Sequence, residues 1–173
     1  KQKDPKCLHR IDPYYTLNMS KTSCFFKKQC SCQMSPLQVL GWCRHAARHA
    51  HEALGAGQQE KAYEDAMCNF LYDIGIPVKR QVNVHQIIDG HIVPTGIVDM
   101  EICKKIIIEL KANYTAISND HKVQVLRYQR SAQAHTTDDG KMICVIFLFA
   151  KDGALKEWNS VGEYNEQRMP PTG

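Results

Sequence analysis

No stretch of this 173-residue chain approaches the ~20 consecutive apolar residues that a membrane-spanning helix needs, so no membrane span is expected. There is no internal repeat and no low-complexity segment, which removes the solenoid and linker-like classes. Eight cysteines are present, but no two stand as a C-x2-C pair. Cys7, Cys24, Cys30 and Cys32 crowd the N-terminal region with the spacing C-x5-C-x-C over the last three. That spacing lacks the pattern of a zinc or iron–sulfur site, so Zn2+ or Fe–S at these four is not expected and reduced or disulfide-bonded thiols are. Cys68, Cys103 and Cys144 fall in predicted helix or strand, where a thiol serves as a small hydrophobe. A broadly basic surface is also missing. The net charge is +4, yet residues 1–50 hold nine Lys/Arg against two Asp/Glu, and the remainder holds thirteen against sixteen. The arm is basic enough to touch phosphates or simply to stay solvated; the rest is not.

What is present fits one domain with an extension. Apolar residues make up 43%, enough for a globular core. Residues 1–34 have no sustained periodicity and contain Pro5 and Pro13, which predicts an irregular basic arm. A domain is expected over 35–157 and a polar tail over 158–173. The arm and tail offer surfaces for protein partners. Residue 1 is Lys; an intracellular setting is expected, and a removed targeting segment is compatible with that start.

Within the domain, Ser35-Pro36 reads as a cap and first helical residue, and a helix is expected to about Leu54, ended by Gly55 and Gly57. His45 and His49 share one of its faces, but no carboxylate partner motif accompanies them. A second helix over about 58–74 has an apolar stripe of Tyr63, Met67, Phe70, Leu71 and Ile74. Glu60 lies close to the middle of that stripe and Glu64 nearer its edge. Glu60 is either a metal ligand or a wet first-turn acid favoured by the helix dipole. Strands are expected at about 78–88, 91–102, 105–111 and 142–149, with Asp89-Gly90 as a two-residue hairpin turn, and a helix at about 120–133. The order helix, helix, three strands, helix, strand predicts an α/β fold with a mixed central sheet of about four strands flanked by helices.

Asp99 ends one apolar run, and Glu109-Leu110-Lys111 ends the next across a turn at Cys103-Lys104-Lys105. Strand alternation sends Glu109 and Lys111 to one face and Leu110 to the other. If the two runs pair as a hairpin, Asp99 comes close to Glu109. Two carboxylates and an ammonium then meet at a sheet edge, a constellation that can hold a divalent cation and orient water for phosphodiester hydrolysis. A plain strand-edge ion pair is the alternative.

Several segments resemble one family. Gly57-Gln-Gln-Glu60-Lys-Ala-Tyr63 has the G-x-x-E-x-x-Y spacing that names the GxxExxY proteins, and Tyr72-Asp-Ile-Gly75-Ile-Pro77 is similar to their helix end. Asp99, then Ile106-Ile-Ile-Glu109-Leu-Lys111-Ala112, resembles their D…(I/V)-x-E-L-K-A core. His121-Lys-Val-Gln124-Val-Leu-Arg-Tyr128 resembles their H-x-x-Q-x-x-x-Y helix, whose last part looks like the Q-x-x-x-Y element of RecB-like nucleases. The resemblance spans roughly residues 36–150 and points to the PD-(D/E)XK nuclease superfamily. Relatives often carry Arg two residues before the aspartate; here that position is Ile97.

The resemblance implies a restriction-endonuclease-like fold and a Mg2+- or Mn2+-dependent nuclease acting on DNA in preference to RNA. It assigns Asp99, Glu109, the Leu110 carbonyl and Glu60 to the metal, and Asp99, Glu109, Lys111, Gln124 and Tyr128 to catalysis. Lys104, Arg127 and His121 are its expected substrate contacts, His121 being equally a helix cap. A competing reading keeps the fold and drops the chemistry, leaving a silent nucleic-acid-binding or structural subunit of a larger complex. A cluster-binding repair nuclease using the N-terminal cysteines is a third.

Overall fold

The computed structural model describes residues 33–133 and 142–161. Helices α1 (Pro36–Leu54) and α2 (Glu60–Asp73) lead into strands β1 (Val78–Ile88), β2 (His91–Ile102) and β3 (Ile106–Ala112). Helix α3 (Asn119–Gln133) and strands β4 (Ile143–Phe149) and β5 (Leu155–Asn159) follow. The sheet order is β1-β2-β3-β4-β5. Only β3 and β4 run parallel, joined across α3; every other neighbouring pair is antiparallel. The fold is α/β, with a mixed sheet flanked by helices. It has one strand more than expected: β5 pairs Phe149 with Leu155 through Val145 with Asn159, so the sheet runs past residue 157 into the segment expected to be a polar tail.

Local chemistry fixes the element ends. Ser35 caps α1 through the Gln38 amide at 3.2 Å, and the Gln38 side chain returns to the Ser35 amide at 2.8 Å. This reciprocal box satisfies two otherwise orphaned N–H groups. Asp89 and Gly90 both take positive φ, 50° and 80°, as a two-residue turn matched to strand twist requires. Cys103 and Lys104 also take positive φ at the β2–β3 turn.

The sheet separates two cores. On one side α1 and α2 pack on an aliphatic and aromatic layer including Leu40, Met67, Leu71, Ile102, Ile108, Leu110 and Phe147. Each such fully buried side chain contributes roughly 1.5–3 kcal/mol of transfer free energy. On the other side α3 covers a smaller cluster of Val84, Val98, Ile107, Val125, Tyr128, Cys144 and Ile146. The Gln129 side chain donates to the Met142 carbonyl and ties α3 to the start of β4. No helix among the described residues is long and apolar enough to cross a membrane.

One irregularity positions the site. The β2–β3 pairing holds from Ile102↔Ile106 to Met100↔Ile108 and goes no further. Beyond Ile108, β3 loses its partner on that edge, and its backbone groups need other acceptors.

Candidate active site

Two carboxylates fill the gap that β2 leaves. Asp99 Oδ2 accepts the Leu110 amide at 2.7 Å, and Glu60 Oε1 accepts the Ala112 amide at 3.1 Å. The N–H and C=O of one strand residue face the same edge. The Leu110 carbonyl therefore faces the edge where Asp99 binds. Glu60 is placed there by the turn before α2. Gly57 takes a φ of 85°, open to glycine at no steric cost. The Tyr63 hydroxyl donates to the Gly55 carbonyl at 2.6 Å and accepts the Gln58 amide at 3.3 Å. The Tyr63 ring stacks on Phe149, 3.8 Å between centroids.

Glu109, 3% exposed, carries the most constrained charge. Its Oε1 accepts from Lys111 Nζ at 2.7 Å and from Gln124 Nε2 at 3.1 Å. Its Oε2 is buried with no hydrogen-bond partner among the described residues. Burial first, and the neighbouring Asp99 charge second, push its carboxyl up to about 7 against the opposing pull of Lys111. Asp99 is also raised, chiefly by burial, with the Leu110 amide and Lys111 pulling the other way. For Lys111, burial works against the charged form, but the bond to Glu109 and the charges of Glu109, Glu60 and Asp99 outweigh it and hold the ammonium above its usual range.

Helix α3 supplies a polar backing. Gln124 Nε2 also donates to the Tyr128 hydroxyl at 2.9 Å. The Tyr128 ring lies against Gly96 of β2, so close that a Cβ there would stand 2.6 Å from its Cε1 and hydroxyl oxygen. Glycine at 96 lets Tyr128, and through it Gln124, reach Glu109.

The structure thus brings together Asp99, Glu109, Lys111, Gln124, Tyr128 and Glu60, with the Leu110 backbone at the same edge. His121 caps the start of α3: it exchanges bonds with Ser118, amide to Oγ at 3.2 Å and Ser118 amide to Nδ1 at 3.3 Å. Burial and then the Lys111 charge lower its pKa, with Asp120 and Glu60 opposing, which puts its ring within electrostatic reach of the site. Lys104 stands at the β2–β3 turn, five residues along the chain from Asp99 and beyond the paired stretch from Met100↔Ile108 to Ile102↔Ile106. Arg127 is exposed on α3. Neither joins the cluster. Cys7, Cys24, Cys30 and Cys32 lie outside the described residues.

Sequence reasoning missed a second layer. Glu64 is 4% exposed and is held by Arg80 Nε at 2.6 Å and Gln81 Nε2 at 3.1 Å. Gln81 Nε2 also lies 3.5 Å from Asp99 Oδ1. Gln81 sits at φ 48° in β1, unpaired in the register between Arg80↔Met100 and Val82↔Val98. The only signal in the sequence was the i,i+4 relation of Glu60 and Glu64 on one helix face.

Among the described residues, no three His, Cys, Asp or Glu side chains group to hold a metal. The donors at hand are carboxylates and a backbone edge, all hard oxygens, one of them a buried oxygen lacking any partner among the described residues. That set fits a cation such as Mg2+, which binds through one or two carboxylates and keeps several waters. It does not suit a thiolate-preferring metal.

The family model of the PD-(D/E)XK nuclease superfamily matches residues 38–143, more than half of the chain. The chain belongs to that superfamily and carries a nuclease-type domain. A search of curated proteins and a search of solved structures each gave no match.

Proposed function

We propose that this domain is an active phosphodiesterase that hydrolyses nucleic acid, DNA in preference to RNA, with Mg2+ or Mn2+ held by Asp99, Glu109 and the Leu110 carbonyl. The observation that carries this reading is the bare, buried Oε2 of Glu109 beside a lysine bonded to the same carboxylate at 2.7 Å. A buried carboxylate oxygen without a partner costs free energy. A site that binds a cation there recovers it.

When bound, the cation lowers the pKa of water and offsets charge on the phosphate. In the metal-free site the acidic surroundings of Lys111 favour its ammonium form. From there the ammonium orients the attacking water and stabilises negative charge on the non-bridging oxygens. Gln124 fixes the rotamer of Glu109 by its 3.1 Å bond, and Tyr128 fixes Gln124. Glu60 keeps the open β3 edge in place through the Ala112 amide and adds negative charge beside the cation.

The test is cleavage of single- and double-stranded DNA and of RNA by the purified chain in Mg2+ and in Mn2+. Cutting that disappears in Asp99→Ala and Lys111→Ala supports the proposal. Tight binding of nucleic acid with no cleavage in either metal favours the silent-subunit reading instead.

A further inference from the structure

The loop that follows Lys111 carries an aromatic ring that the site as described does not use. Tyr114 is 49% exposed, yet the backbone is held at it and at both of its neighbours. Its carbonyl accepts the Lys151 amide at 3.0 Å, and the preceding Asn113 amide donates to the Phe149 carbonyl at 3.0 Å. The Asn113 side chain donates to the Gln58 carbonyl at 3.1 Å, and Lys156 Nζ donates to the Thr115 carbonyl at 2.7 Å. The ring itself stands at 77° to His121 with centroids 5.0 Å apart. His121 is in turn locked by its reciprocal bonds with Ser118.

An exposed ring on a slack loop would carry no message. Here a rigid frame holds a half-open aromatic at a fixed place, three residues beyond the lysine of the candidate site. Its Cα is no more than about 11 Å from that of Lys111. Successive nucleotides rise about 3.4 Å along a strand, so the two backbones are separated by no more than roughly three nucleotide steps. Base stacking on a pre-oriented aromatic avoids the ordering cost of a mobile one.

We infer that Tyr114, braced by His121, is a stacking platform for an unpaired nucleobase flanking the scissile phosphate, which gives the site a preference for single-stranded or frayed nucleic acid. This rests on the nuclease reading above and adds a substrate form to it. A base inside a duplex has both faces covered by its neighbours and cannot use the platform without leaving the stack. Stacking is also tolerant of base identity, since every base has a π face. The platform therefore selects strandedness rather than sequence.

The experiment uses the full chain carrying Asp99→Ala, a fluorescein-labelled DNA strand of about 16 nucleotides, the length scale of a single-strand binding site, and the same sequence as a blunt duplex. Anisotropy titration is expected to show Tyr114→Ala weakening single-strand binding about 5- to 150-fold, the range for loss of one stacked base. Tyr114→Phe should stay within about twofold of its parent, and duplex binding should move by less than about twofold in either variant. A strand with 2-aminopurine next to the cleavage site should lose fluorescence on binding the Asp99→Ala chain, a readout that stands even if Tyr114→Ala folds poorly. Equal single-strand affinity of Tyr114→Ala and its parent, or unchanged 2-aminopurine emission on binding, overturns the platform while leaving the nuclease reading intact if wild type still cleaves. Absence of both cleavage and binding in wild type overturns the two together.

Discussion

The two faces of the sheet are built on different rules. Against α1 and α2 the layer is a broad apolar one, from Leu40 and Leu71 to Ile108 and Phe147, and the buried acid of α2, Glu64, is paired with Arg80. Against α3 the apolar cluster is small, and buried polar groups stand among it or beside it: Glu109, Gln129 and Ser131, with Gln124 bonded to Glu109. Hydrophobic burial is non-directional and supplies most of the stability. A partly satisfied polar network supplies little, and costs stability wherever a group is left bare. Strand β3 is therefore shared between two tasks. Its Ile106, Ile108 and Leu110 side chains anchor the fold, while Glu109 and Lys111 between and beyond them carry the strained charges.

That division can be broken from either side, and the largest effect belongs to the polar face. Lys111→Ala or Asp99→Ala should lower the cleavage rate by on the order of 10²–10³-fold or more, measured as initial rates on labelled DNA. On the opposite face, Leu71→Ala should cost roughly 2–5 kcal/mol of unfolding free energy by creating a cavity. In urea titrations its midpoint falls, and wherever it remains folded its rate stays near wild type. A result that exchanged these two outcomes would erase the distinction between the faces.

Gly96→Ala sharpens the comparison at the boundary. The new Cβ meets the Tyr128 ring at 2.6 Å, so Tyr128 must move and Gln124 with it. The expected loss is roughly ten- to a hundredfold in kcat, the scale of an ångström of misplacement, with KM nearly unchanged. A variant at wild-type kcat would show that the Tyr128–Gln124–Glu109 chain positions nothing.

The smallest effect is one of pH. Glu109 holds its proton up to about 7 in the metal-free protein, and a cation must displace that proton. Affinity for Mn2+ should therefore fall as the pH drops below 7, by up to about tenfold per unit, and level off above pH 8. Calorimetry in buffers of different ionisation enthalpy should find close to one proton released per cation at pH 6 and almost none at pH 8.

Much of this architecture was legible in the residue order because its punctuation is local. Ser35-Pro36, Gly55, Asp89-Gly90 and Gly75-Ile-Pro77 each bound an element by their own backbone preferences, and the boundaries fall within about two residues of expectation. Asp99, Glu109 and Lys111 could be placed together from strand alternation and one turn. Strand β5 was not legible: Leu155-Lys-Glu-Trp-Asn159 is short and polar, and only its pairing with β4 makes it a strand. Glu64 was hidden for a related reason. Its burial depends on Arg80, sixteen residues away on another element, and no pattern within α2 announces that partner. Tyr114 sits in a loop, where periodicity says nothing.

On the function proposed above, the unpartnered oxygen of Glu109 takes a divalent cation shared with Asp99. Isothermal titration of Mn2+ into the full chain at pH 8 tests it most directly, with Glu109→Gln, which keeps the shape of the side chain and removes its charge, as the comparison. The account predicts a Mn2+ site in wild type that Glu109→Gln weakens by more than about tenfold, the direction expected when a charged ligand becomes neutral. Equal binding by the two proteins would contradict it.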